Sequence, residues 1–144
     1  MSETEHARIE RCCRQLVIDY ARATDRLEGP AAAALFTEDG QLEMPGGRSY
    51  RGRAEIARRI TEQPPQQVSR HVLTNIAIEP HTADRATGSM LLTIYRGQRP
   101  EAGGPVALDG PYLVGEYEDE YRHTAEGWRI ARRRLITIFR RPGA

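Results

Sequence analysis

Residues 9–27, IERCCRQLVIDYARATDRL, decide the architecture. Ile9, Cys13, Leu16, Tyr20, Ala23 and Leu27 recur at helical spacing and fall within a narrow arc at about 100° per residue, which predicts an amphipathic helix. Tyr20 sits in mid-stripe, where an unpaired hydroxyl costs about 1–3 kcal/mol and therefore needs a partner. Asp25 lies about 140° round from Tyr20 on an ideal helix, so periodicity alone turns it toward solvent near the helix end. Two readings stay open: a satisfied core tyrosine with a surface acid, or two members of one site.

The chain of 144 residues predicts a single domain over 1–144, long enough to bury a core without disulfides or metal. At 39% hydrophobic and 28% charged, its composition is that of a folded, soluble chain. No apolar run approaches the roughly 20 residues that cross a bilayer, and MSETEHARIE is too polar for a signal peptide. The expected location is the cytoplasm, with no membrane partner. Cys12 and Cys13 are helix neighbours, a geometry that disfavours a bridge, so both are expected to be reduced. A net charge of +1 supplies no field to draw nucleic acid. The chain has arginine but no lysine, which excludes a Schiff-base lysine and a phosphate-loop lysine.

Beyond the first helix, Gly29-Pro30 breaks the pattern and Ala31–Phe36 reads as a short second helix. Glu38-Asp39-Gly40 reads as a turn, Gln41–Met44 as a short strand with Leu42 and Met44 on one face, and Pro45–Gly52 as a loop. A third helix from Arg53, with Ile56, Ala57 and Ile60 on one side, runs until Pro64-Pro65 stops it. Strands follow over 68–79, 86–95, 112–123 and 128–139, with 97–111 as a long connection of the kind that often serves as a flap. Alternation places His71, Leu73, Asn75 and Ala77 on one face of the first of these strands. It sets Glu116, Glu118 and Glu120 against Tyr117, Asp119 and Tyr121, and Trp128, Ile130, Arg132 and Arg134 against Arg133, Leu135 and Phe139. Helices followed by hairpin-linked strands predict an α+β fold, with a curved sheet wrapped around about three helices. The two-sided apolar strands point to a second subunit as cover.

His6, His81 and His123 occupy terminal, turn and strand-end positions, whereas His71 is in mid-strand and faces inward. No ligand spacing suits zinc or iron, no G-x-S-x-G elbow is present, and PGGRSYRG matches no nucleotide loop, so no metal and no cofactor is expected. In Arg132-Arg133-Arg134, the outer two can face the glutamates of the neighbouring strand. Arg133 shares the parity of Leu135, and a guanidinium there demands a carboxylate or an anionic ligand. Tyr20, Asp25, His71 and Arg133 thus form a candidate polar cluster.

YARATDRLEGPAAAALFTEDGQLEM, Tyr50-Arg51-Gly52-Arg53 with Ile56, the RHVLTN strand and the closing GWRIARRRL resemble the SnoaL-like family of the nuclear transport factor two-like superfamily, over about Ile9 to Phe139. The resemblance implies a cone-shaped α+β fold with an internal cavity. Its nearest pattern is shared by scytalone dehydratase, lindane dehydrochlorinase and bile-acid seven-alpha-dehydratase, which implies an Asp25–His71 base dyad, Tyr20 as a donor and Arg133 as a cavity arginine. Leu42 and Met44 depart from the aromatic residues common on that strand. The implied function is a cofactor-independent lyase or isomerase acting on a hydrophobic cyclic small molecule, with Phe36, Leu42, Met44, Leu73 and Leu135 lining the pocket. The alternatives are a non-catalytic binder of a steroid- or polyketide-like ligand and an oligomerising accessory protein. A homodimer or a homotrimer is expected.

Overall fold

The computed structural model describes residues 1–144. Helix α1 (Glu3–Asp25) starts six residues before the predicted Ile9, because the Ser2 hydroxyl accepts the Glu5 N–H at 3.1 Å and caps the first turn. His6 is therefore helical and not part of a frayed end. Most of the predicted stripe is buried, namely Ile9, Cys13, Leu16, Tyr20 and Ala23, with Val17 beside them, whereas Leu27 lies beyond the helix end, at φ +57° and only half-buried. Helix α2 (Gly29–Ala33) ends three residues before the predicted Phe36. Phe36 instead opens β1 (Phe36–Met44), and Glu38-Asp39-Gly40 lies within that strand rather than forming a turn.

The stretch predicted as a loop holds β2 (Arg48–Arg51), a hairpin partner of β1 turned through Gly46 and Gly47, both at positive φ. Helix α3 (Gly52–Thr61) follows, ending before Pro64-Pro65. The long strands are β3 (Gln67–Thr82), β4 (Arg85–Gln98), β5 (Leu113–Thr124) and β6 (Gly127–Arg140). They form one six-stranded sheet in the order β2-β1-β6-β5-β4-β3, with β1 parallel to β6 and every other pair antiparallel.

The sheet curls around α1. That helix touches β3 and β6, which stand three places apart in the sheet, a flat span of about 14 Å against a helix about 10 Å across. On the concave side, Tyr20 packs edge-on against Phe36 and Tyr117, with ring centroids 5.8 and 6.3 Å away.

Three bulges overturn the predicted parity, one of them at Ile138 in β6, where Phe139, expected on the face of Leu135, is turned out to 68% exposure. Between Thr74 and Ala77, β3 spends one residue more than β4, and Asn75 there has φ +52°. His71 and Leu73 face inward as predicted, but beyond the bulge it is Ile78 that is buried, while Ala77 is exposed. In β6 an extra residue at Ala131 brings Trp128 and Ile130 to the buried face with Arg133 and Leu135, away from Arg132 and Arg134. Strict alternation fails wherever two residues of one strand oppose a single residue of its partner.

Candidate active site

The last residue of α1 meets the beginning of β3. Asp25 Oδ1 lies 2.5 Å from His71 Nδ1, and both carboxylate oxygens accept the His71 backbone N–H, at 3.1 and 3.2 Å. Because β3 is a sheet edge, that N–H would otherwise lack a strand partner. A carboxylate at a helix C-terminus opposes the helix dipole, and these hydrogen bonds offset that cost. Both side chains are nearly buried, His71 at 9% and Asp25 at 12%. With Nδ1–H donated to Asp25, the imidazole presents Nε2 as its free basic nitrogen.

His71 opens onto a cavity of about 70 Å³, whose wall includes Tyr20, Thr24, Asp25, Leu42, Met44 and Leu135. Three predicted pocket residues are absent from this wall. Phe36 is fully buried against Tyr20, Leu73 packs on the core, and Arg133 lies behind the wall at 0% exposure. Half the lining is polar, against the predicted greasy pocket, with Arg59, Gln63, Gln67, Ser69 and Arg96 among the contributors.

Arg133 has the carboxylate its position demanded. Its Nε and Nη2 bind Asp119 Oδ1 and Oδ2 at 2.8 and 2.6 Å, and the Tyr121 hydroxyl donates to Asp119 Oδ2 at 2.6 Å. The guanidinium is sandwiched between the rings of Tyr20 and Tyr117, 4.6 and 4.1 Å from their centroids. Burial alone would weaken its hold on the proton, but Asp119 outweighs that and keeps it charged. Burial raises the Tyr20 phenol above its ordinary value, with Arg133 opposing the shift, and raises Tyr117 strongly. Both phenols keep their protons at neutral pH and are hydrogen-bond donors on the cavity wall. The side chain beside the Tyr20 hydroxyl is Thr24, one turn on in α1, and its hydrogen bond also opposes the burial shift of the phenol.

The sequence profile of the SnoaL-like domain matches residues 5–134. The chain belongs to this family. No curated protein matches the chain. Among solved structures, this SnoaL-like protein is similar to Rv3472 of Mycobacterium tuberculosis, a protein of unknown function solved as an Asp-to-Asn variant. The two are 27% identical with a TM-score of 0.77, covering 96% of this chain and 77% of that one. It is also similar to LinA, a hexachlorocyclohexane dehydrochlorinase, in its type 2 form: 16% identity and TM-score 0.81 over 99% and 94% of the two chains. A Novosphingobium aromaticivorans protein provisionally assigned as a scytalone dehydratase is 22% identical, with TM-score 0.75 over 90% and 83%. These two likenesses show the fold alone, as does that to a nuclear transport factor two-like protein with a cystatin-like fold from Novosphingobium aromaticivorans, 24% identical with TM-score 0.73 over 92% and 81% of the two chains.

Tyr117, Arg59 and Arg96 line the cavity without having been singled out from the sequence. For two of them the signal was present. Tyr117 shares the inward parity of Tyr121, and Arg96 continues the buried alternation Met90, Leu92, Ile94.

Proposed function

We propose that this SnoaL-like protein is a cofactor-independent lyase or isomerase in which His71 is the general base. The observation that carries the reading is the Asp25–His71 pair, nearly buried and open to the cavity through the imidazole. The substrate class is a cyclic β-hydroxy carbonyl compound. His71 Nε2 takes the proton from the carbon next to the carbonyl, and the electron pair moves onto the carbonyl oxygen, where the Tyr20 phenol donates a hydrogen bond. As the enolate collapses, the C–O bond to the β-hydroxyl breaks, and the leaving oxygen takes the proton back from the imidazolium. The products are the conjugated alkene and one water. With a β,γ-unsaturated ketone in place of the β-hydroxy compound, the same proton abstraction gives a dienolate, and return of the proton to its γ-carbon gives the isomerase outcome. Asp25 fixes the imidazole tautomer and stabilises the imidazolium. Arg133, held by Asp119 behind the Tyr20 ring, is a positioning residue that makes the phenol a better donor.

The test is proton exchange at carbon in D2O across a panel of cyclic β-hydroxy ketones, followed by mass spectrometry. The wild type is expected to exchange and eliminate at least about 10²-fold faster than His71→Ala. Equal rates overturn the assignment, and saturable binding without exchange supports the non-catalytic binder.

Assembly of copies is a second reading, favoured by a row of cross-strand partners on the convex face: Val72, Thr93, Val114 and Phe139. Val72 is 44% and Phe139 68% exposed, an apolar strip that a second or third copy would cover. A monomer mass in light scattering removes this reading.

A further inference from the structure

Arg59, in the last turn of α3, and Arg96, on β4, stand where the cavity meets a wider outer cleft of about 740 Å³. Together with Gln63 they line both spaces, so the two guanidinium groups stand on the wall that the cleft and the His71 cavity share. Neither forms an ion pair, whereas six other arginines do, namely Arg14, Arg53, Arg122, Arg132, Arg133 and Arg141.

The contacts they do make orient them without neutralising them. Arg96 Nε donates to Ser69 Oγ at 2.9 Å, and its guanidinium lies 4.2 Å from the centroid of Tyr112. Arg59 lies 5.7 Å from the centroid of Tyr50, and its Nε is buried with no hydrogen-bond partner. Burial weakens the hold of Arg96 on its proton, and the nearby Arg59 charge adds to this, a mutual repulsion that an anion between them would relieve. The cleft also carries Arg48 and Arg58, against only Glu55 and Glu62, and Glu55 already accepts the Arg51 N–H at 2.7 Å.

We infer that Arg59 and Arg96 form an oxyanion-binding subsite at the cavity mouth, so that the substrate carries a carboxylate or phosphate on the side opposite its reacting carbon. The inference rests on the proposed reaction only for the word substrate; the anion site stands on its own geometry. Planar guanidinium forks suit bidentate binding of either oxyanion, and half-buried arginines without acids lose least when an anion supplies the missing charge. The arrangement also accounts for a small inner cavity beside a large outer cleft. The reacting ring enters, while the charged end stays at the mouth.

The test is calorimetric titration of the full chain with cyclohexanecarboxylate, cyclohexyl phosphate and neutral methyl cyclohexanecarboxylate. The wild type is expected to bind an anion at least about tenfold tighter than the ester, and which anion binds better separates carboxylate from phosphate. The preference should vanish in Arg59→Gln/Arg96→Gln, each variant first being checked for the wild-type circular dichroism spectrum and melting temperature. It should persist in His71→Ala. Equal affinity for acid and ester, no saturable anion binding, or a preference that survives in the folded double variant overturns the inference. If His71→Ala keeps both the anion preference and the wild-type exchange rate, the base assignment falls and the anion site remains.

Discussion

Asp119 and Arg133 are directly opposed Cα partners on β5 and β6, and their side chains form a two-pronged ion pair with neither one exposed to solvent. Removing one member leaves a buried charge with no counter-ion, which costs about 3–5 kcal/mol, whereas replacing both by apolar groups of similar volume is far milder. Asp119→Leu is therefore expected to lower the unfolding free energy by about 3–5 kcal/mol. Asp119→Leu/Arg133→Met should recover most of that loss in urea denaturation.

Asp25→Asn keeps an acceptor for the His71 N–H but offers the imidazolium no charge. The expected outcome is a fall of about 10²–10⁴-fold in kcat for proton transfer, with KM nearly unchanged. Steady-state kinetics on a substrate found by the exchange screen checks this, and a KM effect alone would count against the role given to Asp25.

Gly29 is where α2 crosses α3 at backbone contact. A Cβ there would lie 2.1 Å from Thr61 Oγ1 and 2.2 Å from the Ala57 carbonyl oxygen. Gly29→Ala forces the helices apart and is expected to cost about 1–3 kcal/mol, read as a lowered melting temperature. Because α3 carries Arg59 and Ile60, the same variant should also weaken anion binding at the cavity mouth.

Glu43 is held below its ordinary value of 4.5, chiefly by the hydrogen bond from Arg132. Its folded-state pKa is depressed, so the stability it contributes is present above about pH 4.5 and is lost as pH falls through the folded value. The Arg132 side chain is 40% exposed, so solvent screening keeps the contribution under about 1 kcal/mol. Glu43→Gln should lower the neutral plateau by that amount, under about 1 kcal/mol, and leave stability at the acid end nearly unchanged, so that the acid limb of the stability-against-pH curve is flatter.

Local chemistry made much of this molecule legible. The α1 stripe, the inward parity of His71 and Leu73, and the rule that an inward Arg133 demands a carboxylate or an anionic ligand follow from side-chain direction along a helix or strand, which depends on neighbours a few residues away. Resemblance placed Asp25 beside His71, a meeting that periodicity argued against.

Which acid Arg133 would find, the bulges at Asn75 and Ala131, and the approach of the end of α1 to the edge of β3 were settled by the tertiary structure. Each is a choice between partners far apart in the chain: Asp119 and Arg133 are 14 residues apart, Asp25 and His71 are 46. The sequence by itself determined which side chains needed a partner. The closing of the sheet over α1 decided which partner each received, and left Arg59 and Arg96 unpaired at the cavity mouth, because pairing across such distances is fixed by packing the whole core at once.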